Sequence, residues 1–135
     1  MEELMQFLKD NPIFYLATVE GYMPRVCPFG FAMEYNGKLY FAMGKHRNTY
    51  KQLLDNTNIE ICTANENGQW IRIRGTVDFD NSIEAKQKAF EQMPHLKEVY
   101  NETTGKTLAL VYMDRISARL FSVDGEERQL YQQGI

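Results

Sequence analysis

A mainly β fold, a small antiparallel barrel with peripheral helices, is the class this sequence predicts, on three observations. Apolar and polar residues alternate with period two through much of the chain. Short turn signals, above all Asn36-Gly37 and the run Asn65-Glu66-Asn67-Gly68, join these stretches at hairpin spacing. Only three stretches carry helical spacing, too few to supply the crossovers that a parallel sheet needs between most of its strands. Six or seven strands and three helices are expected, in a single domain over residues 1–135.

Each element has a local reason. Residues 2–10 put Leu4, Met5 and Leu8 on one helical face, and Asp10-Asn11-Pro12 ends that helix because proline holds the residue before it in extended backbone. Residues 13–19 and 25–35 read as strands joined by a turn at Glu20 and Gly21, and Asn36-Gly37 leads into a third strand over 38–43. Asn48 to Asp55 spaces Tyr50, Leu53 and Leu54 as a helix capped by Asn48, and residues 58–64 and 69–79 return to period two as a second hairpin. Asn81 and Ser82 open a helix with Ile83, Ala85, Ala89, Phe90 and Met93 on one side, stopped by Pro94. Residues 107–113 and 117–123 form a last strand pair turning at Asp114 and Arg115, followed by a polar segment to Ile135.

Composition narrows the function classes. A chain of 135 residues buries about two-thirds of its unfolded surface and needs no staples. The formal net charge of −3 offers no general attraction to phosphodiester backbones or anionic lipid, so no nucleic acid or membrane partner is expected. Cys27 and Cys62 show neither CxxC nor Cys/His spacing and read as free thiols in a reducing compartment, with no metal site. The opening MEELMQFLKD is acidic and amphipathic, and no apolar run approaches the ~18 residues of a membrane span, so a cytoplasmic protein is expected.

Three segments break the local rules. Lys45, His46, Arg47 and Lys51 crowd around Asn48 and Thr49 at a helix start, where the free amides already carry partial positive charge. Arg47 and Lys51 together give up on the order of 1 kcal/mol against that dipole unless something negative lies among them. Two readings stay open: a basic helix end screened by water and salt, or a phosphate held by the amides of residues 48–50, the Thr49 hydroxyl and the cationic side chains. In PRVCPFGFAM, alternation puts Arg25, Cys27, Phe29, Phe31 and Met33 on one face and Val26, Pro28, Gly30 and Ala32 on the other. Arg25 then ends an apolar face and needs an anion or carbonyls, while Pro28 marks an edge or a bulge that a flat ligand could approach. In QWIRIRG, Trp70, Arg72 and Arg74 share a face, either as a solvent-facing cation–π surface or, with Gln69, as the border of an anionic aromatic ligand.

Taken in order, PRVCPFGFAMEYNGKLYFAMGKHRNTYKQLLDN and GQWIRIRGTVDF resemble the FMN-binding split-barrel superfamily, the pyridoxamine 5′-phosphate oxidase-like proteins, over residues 10–123. The resemblance implies a split barrel of six or seven antiparallel strands and two FMN sites built by a homodimer. It implies that Arg25, Arg47, Asn48, Thr49 and Lys51 handle phosphate and ribityl, that Val26, Cys27, Pro28, Phe41, Ala42 and Met43 line the ring, and that Gln69 and Trp70 come from the partner. Gly30 stands where the pyridoxamine phosphate oxidases carry a lysine, Arg47-Asn48 where they carry an arginine-lysine pair, and YQQGI where their Trp- and Arg-bearing segment would be. These departures point away from vitamin B6 as substrate.

The resemblance implies an oxidoreductase acting on a small organic substrate with electrons from NAD(P)H or another donor. The alternatives are a non-catalytic flavin-binding module, possession of a related flavin or deazaflavin, or a haem-binding relative using His46 or His95 as axial ligand. No catalytic residue is identifiable: Ser, His and carboxylates fall in no triad order, and neither paired-carboxylate nor HExxH spacing occurs.

Overall fold

The computed structural model describes residues 1–135. In chain order the elements are α1 (Glu2–Asp10), β1 (Phe14–Glu20), β2 (Met23–Phe29), β3 (Ala32–Tyr35), β4 (Lys38–Gly44), α2 (Asn48–Asp55), β5 (Asn58–Ala64), β6 (Gln69–Asp80), α3 (Ile83–Gln92), α4 (His95–Val99), β7 (Leu108–Ser122) and β8 (Glu127–Gln133). The strands make one eight-stranded sheet in the order β2-β1-β5-β6-β7-β4-β3, with β8 also paired to β7. Every pairing is antiparallel.

Aromatic contacts show that this sheet is rolled up. Phe14 of β1 lies 6.4 Å from Phe41 of β4, although β5, β6 and β7 separate the two strands in the sheet. Phe29 of β2 completes the triangle at 6.1 Å from Phe14 and 6.5 Å from Phe41. Around them Leu16, Ile61, Ile71, Ile73, Val111 and Ala118 form one core, closed by Leu4 and Leu8 of α1 and Leu53 of α2. β2 and β3, consecutive in sequence, are the unjoined ends of the path, and there the barrel is split.

The expected turn at Asp114 and Arg115 is instead a bulge within one continuous strand. Thr76 faces Arg115 and Val77 faces Met113, so Asp114 is the extra residue. Its insertion shifts the inward phase, from Ala109, Val111 and Met113 to Ile116, Ala118 and Leu120, and all six reach the same core. Thr76 Oγ1 donates to Asp114 Oδ1 at 2.7 Å and pins the irregularity. A Cβ at Gly75 would lie 1.8 Å from the Arg115 carbonyl oxygen, so the close approach of the two strands requires glycine. β7 then pairs with β4 over its first third and with β8 beyond the bulge.

The expected strand over 25–35 is likewise two strands, parted at Gly30 and Phe31. Cys27 and Phe29 pack on the main core and Ala32 follows them there. Phe31 and Met33 enter a second cluster with Tyr40, Ala42, Ala85, Ala89, Leu108 and Leu110. Arg25, Cys27, Phe29, Phe31 and Met33 therefore do not share one face. The strand count is eight rather than six or seven because the polar segment after Asp124 contains β8, whose Leu130 and Tyr131 pack on the main core. The fourth helix, α4, follows Pro94, whose missing N–H costs nothing at a helix start. Ser82 caps α3 as expected, its Oγ accepting from the Ala85 N–H at 3.2 Å. Ile83 and Leu54, expected on packing faces, are 71% and 56% exposed. No helix is long and apolar enough to cross a membrane.

Candidate functional site

After β4 the Lys45 N–H donates to the Thr107 carbonyl at 2.9 Å and the Arg47 N–H to the Gly44 carbonyl at 3.1 Å, turning the chain into α2. The cap is Arg47, in extended backbone, and not Asn48; no side chain bonds to the helix end. The place a capping box would use is consequently Tyr50 rather than Lys51. The first intrahelical bond runs from the Lys51 N–H to the Arg47 carbonyl at 3.5 Å, leaving the amides of Asn48, Thr49 and Tyr50 ahead of it. No acidic residue occupies the first turn, so the positive end of the helix has no neutralising charge of its own.

A cavity of about 430 Å³ opens at this end, lined by Arg25, Val26 and Cys27 of β2 and by His46, Arg47, Asn48 and Thr49. Thr18 of β1 and Gln52 of α2 complete the lining, which contains two guanidinium groups and no carboxylate. Thr18 Oγ1 donates to Gln52 Oε1 at 2.5 Å, tying α2 to the barrel. Gln52 Nε2 and the Thr49 hydroxyl have no partner within the chain, though their residues are only 8% and 7% exposed. Neither atom is sealed from solvent, so both open on the cavity. These two solvent-reached groups, beside the free amides of Asn48 and Thr49, form a seat that a polar ligand can take in place of water.

The two arginines are held differently. Arg47 is half-buried, donates from Nη2 to the Cys27 sulfur at 2.8 Å and lies 4.9 Å over the Phe29 ring. Phe29 and Cys27 thus fix a guanidinium at the cavity wall. Arg25 is half-exposed and donates from Nε and Nη2 to one Glu20 oxygen at 3.0 and 2.8 Å. The anion that the sequence asks for beside Arg25 is already present, outside the cavity, as Glu20.

Six of the expected cofactor residues, Arg25, Val26, Cys27, Arg47, Asn48 and Thr49, meet in this cavity. Lys51 is exposed on the next turn and does not line it; Pro28 is exposed further along β2. Phe41 and Met43 direct their side chains into the main core and Ala42 into the second cluster, so β4 can present only backbone. β3 stops opposite Phe41, which leaves β4 without a strand neighbour on that side from Ala42 to Gly44. Gln69 and Trp70 begin β6 away from the cavity: Gln69 Oε1 accepts from Asn65 Nδ2 at 2.9 Å, and Trp70 stacks on Phe121 at 5.8 Å. Their strand divides as expected, with Ile71 and Ile73 buried and Arg72 outside, 5.6 Å over Phe121.

Sequence reasoning missed Thr18 and Gln52. The signals were a polar residue in the inward phase of Phe14 and Leu16, and a glutamine one turn after Thr49 on the same helical side. His95, exposed at the start of α4, bonds Glu98 at 2.7 Å, and no group of three or more His, Cys, Asp or Glu is placed to hold a metal ion.

The family model for pyridoxamine 5′-phosphate oxidase matches residues 1–127. A solved NimC/NimA family protein from Clostridium acetobutylicum is 39% identical, with a TM-score of 0.88 over 96% of this chain and 90% of that one. General Stress Protein 26 from Bacillus anthracis shares the fold at 16% identity and TM-score 0.70, over 96% and 97% of the two chains. So does a pyridoxamine 5′-phosphate oxidase-related, FMN binding protein from Nostoc punctiforme, at 17% identity and TM-score 0.67 over 98% and 90%. Among curated proteins none matches. With the family match running from the first residue to Glu127 at the start of β8, and the split barrel formed, the chain belongs to the pyridoxamine 5′-phosphate oxidase family.

Proposed function

We propose that this protein is an FMN-binding flavoprotein that seats the cofactor phosphate at the start of α2 and acts as an oxidoreductase on a small organic substrate, with electrons from NAD(P)H or another donor. The observation that carries the reading is the cavity itself: free amides at Asn48 and Thr49, the Arg25 and Arg47 guanidinium groups, and unspent donors on Thr49 and Gln52, with no carboxylate among them. A phosphate dianion satisfies the amides, Arg47 and the two unspent donors at once, with Arg25, paired to Glu20, adding positive charge beside them. The Nostoc protein described as FMN binding, which shares the fold, adds support.

In this reading Arg47, steadied by Phe29 and Cys27, and the Thr49 hydroxyl hold the phosphate, with Asn48 toward the ribityl chain and Lys51 adding charge from outside. Bound FMN supplies the hydride and electron chemistry; the chain binds it, orients it and shields it. The exposed edge of β2 at Val26, Cys27 and Pro28 and the unpaired side of β4 after Phe41 offer backbone to a flat ring. Five of the exposed large apolar residues lie on or next to β1 and β2, Val26 at the cavity, Tyr15 opposite Pro28, Met23 opposite Glu20, and Ile13 and Tyr22 just outside the two strands, a surface of the kind a homodimer covers. Gln69 and Trp70, which do not line the cavity of their own chain, then reach that of the partner. Gly30 brings no side-chain cation, in keeping with a substrate other than vitamin B6. The location proposed is the cytoplasm.

An absorption spectrum before and after incubation with FMN tests the reading. Flavin bands, release of FMN on denaturation, a dimer in sedimentation and bleaching by a reduced nicotinamide are expected. Protein that takes up no FMN ends the proposal; bound FMN that no donor reduces makes the chain a binding module, and a Soret band replaces flavin with haem.

A further inference from the structure

Cys27 is a free, partly exposed thiol at the wall of the cavity, with the Arg47 guanidinium 2.8 Å from its sulfur. It has no intramolecular disulfide partner. The register sets Cys27 beside Leu16 on the inward side of β1, and Cys62 beside Tyr15 on the outward side, so the two thiols point to opposite faces. Around Cys27 stand Arg25, Arg47 and the amide end of α2, and the same cavity is lined by Thr49 and Gln52, residues only 7% and 8% exposed whose hydroxyl and amide N–H groups have no partner within the chain and open on it. A molecule that brings both a sulfur and a carboxylate fits this wall: the carboxylate takes the donors while the sulfur meets Sγ.

We propose that Cys27 is a thiol-exchange site for an anionic low-molecular-weight disulfide, and that its adduct and the phosphate-bearing ligand exclude each other from the cavity. The exclusion rests on the FMN reading above; the exchange does not. In the exchange the Cys27 proton goes to solvent and the thiolate attacks one sulfur of the disulfide. An Sγ–S bond forms, the S–S bond of the reagent breaks, and its second sulfur leaves with the electron pair as a thiolate. Cys27 is oxidised and that sulfur reduced. A free thiol in excess reverses the step, so the redox state of the small-thiol pool would govern loading of the site. Cys62 serves as an internal control: burial pushes its thiol up, and it lies outside the cavity.

The test uses the wild-type protein. Glutathione disulfide and cystamine, one carboxylated and one cationic, are each incubated with it at low ionic strength, and adducts at Cys27 and Cys62 are followed by peptide mass spectrometry. Expected are faster labelling of Cys27 than of Cys62, faster labelling of Cys27 by glutathione disulfide than by cystamine, and slowing at Cys27 alone when inorganic phosphate or FMN is added. The glutathionylated protein should then fail to take up FMN until a thiol reductant restores it. Equal labelling by the two reagents, or undiminished FMN uptake by the adduct, overturns the proposal. FMN uptake by untreated protein is scored separately: FMN bound with Cys27 inert overturns this inference alone, whereas no FMN bound and no slowing by phosphate overturns the exclusion together with the flavin reading.

Discussion

At the scale of single residues, three substitutions separate binding from folding. Arg47→Ala removes a charge-assisted donor worth about 1.5–3 kcal/mol to a bound phosphate, so the FMN Kd should rise roughly 10- to 100-fold. Loss of its stacking on Phe29 should cost the fold only about 1 kcal/mol. Thr49→Val keeps the shape and deletes a hydroxyl that has no partner in the free chain; Tm should hold or rise slightly while FMN affinity falls by about 1 kcal/mol, roughly fivefold. Glu20→Gln releases Arg25 from an exposed pair worth about 0–1 kcal/mol and removes a negative charge near the cavity. FMN should bind a few-fold tighter in that variant at low salt, with the gain fading as salt is added. Titrations paired with thermal melts read all three; a Thr49→Val protein that melts lower yet binds FMN normally would assign the hydroxyl to the fold instead. The cations from Lys45 to Lys51 were legible in the sequence because a reversed charge at a helix start is a local anomaly. Thr18 and Gln52 were not, since their partnership spans 34 positions and neither is unusual where it stands.

At the scale of elements, the bulge in β7 and the clasp between β4 and α3 set the stability. Gly75→Ala drives a Cβ into the Arg115 carbonyl and should cost about 1–3 kcal/mol by denaturant unfolding, while Thr76→Val, losing one exposed hydrogen bond, should cost about 0.5–1 kcal/mol. Tyr40 donates to Asp80 Oδ2 at 2.6 Å, and Asp80 Oδ1 accepts the Ser82 N–H at 2.9 Å at the start of α3. Burial pushes the Asp80 carboxyl up, but the bonds from Tyr40 and Ser82 outweigh it and hold the group below the ordinary carboxylate range. A folded value depressed in this way adds stability above the unfolded value, near 3.9, and loses it as pH falls through the folded value. Tyr40→Phe should therefore lower stability at pH 6 and flatten its decline toward pH 3, as read by denaturant melts; an unchanged pH slope would remove Asp80 from the acid response. Hairpins at Asn36-Gly37 and the Ser82 cap were legible because their signals are complete within four residues. The bulge at Asp114 was not: a phase slip of one residue next to two charged side chains has the pattern of a turn, and only pairing with β6 tells them apart. β8 was missed for a different reason, since Leu130 and Tyr131 alone carry its burial amid polar neighbours.

At the scale of the whole molecule, rolling the sheet joins sites far apart in sequence. The split between β2 and β3 leaves an exposed strand edge next to a helix end rich in positive charge, and the family's architecture places both at one cavity. The antiparallel barrel and six of the residues that line the cavity could be read from alternation and resemblance; the order of strands in the sheet and the cavity's inner wall required the fold. The central claim is that a phosphate is what the start of α2 holds, and comparing FMN with riboflavin isolates that group from the ring. Fluorescence titration of the same protein with both flavins should give at least about 100-fold tighter binding of FMN, as two charge-assisted contacts require, and the ratio should collapse in Arg47→Ala. Equal affinities for FMN and riboflavin in the wild-type protein would contradict the account.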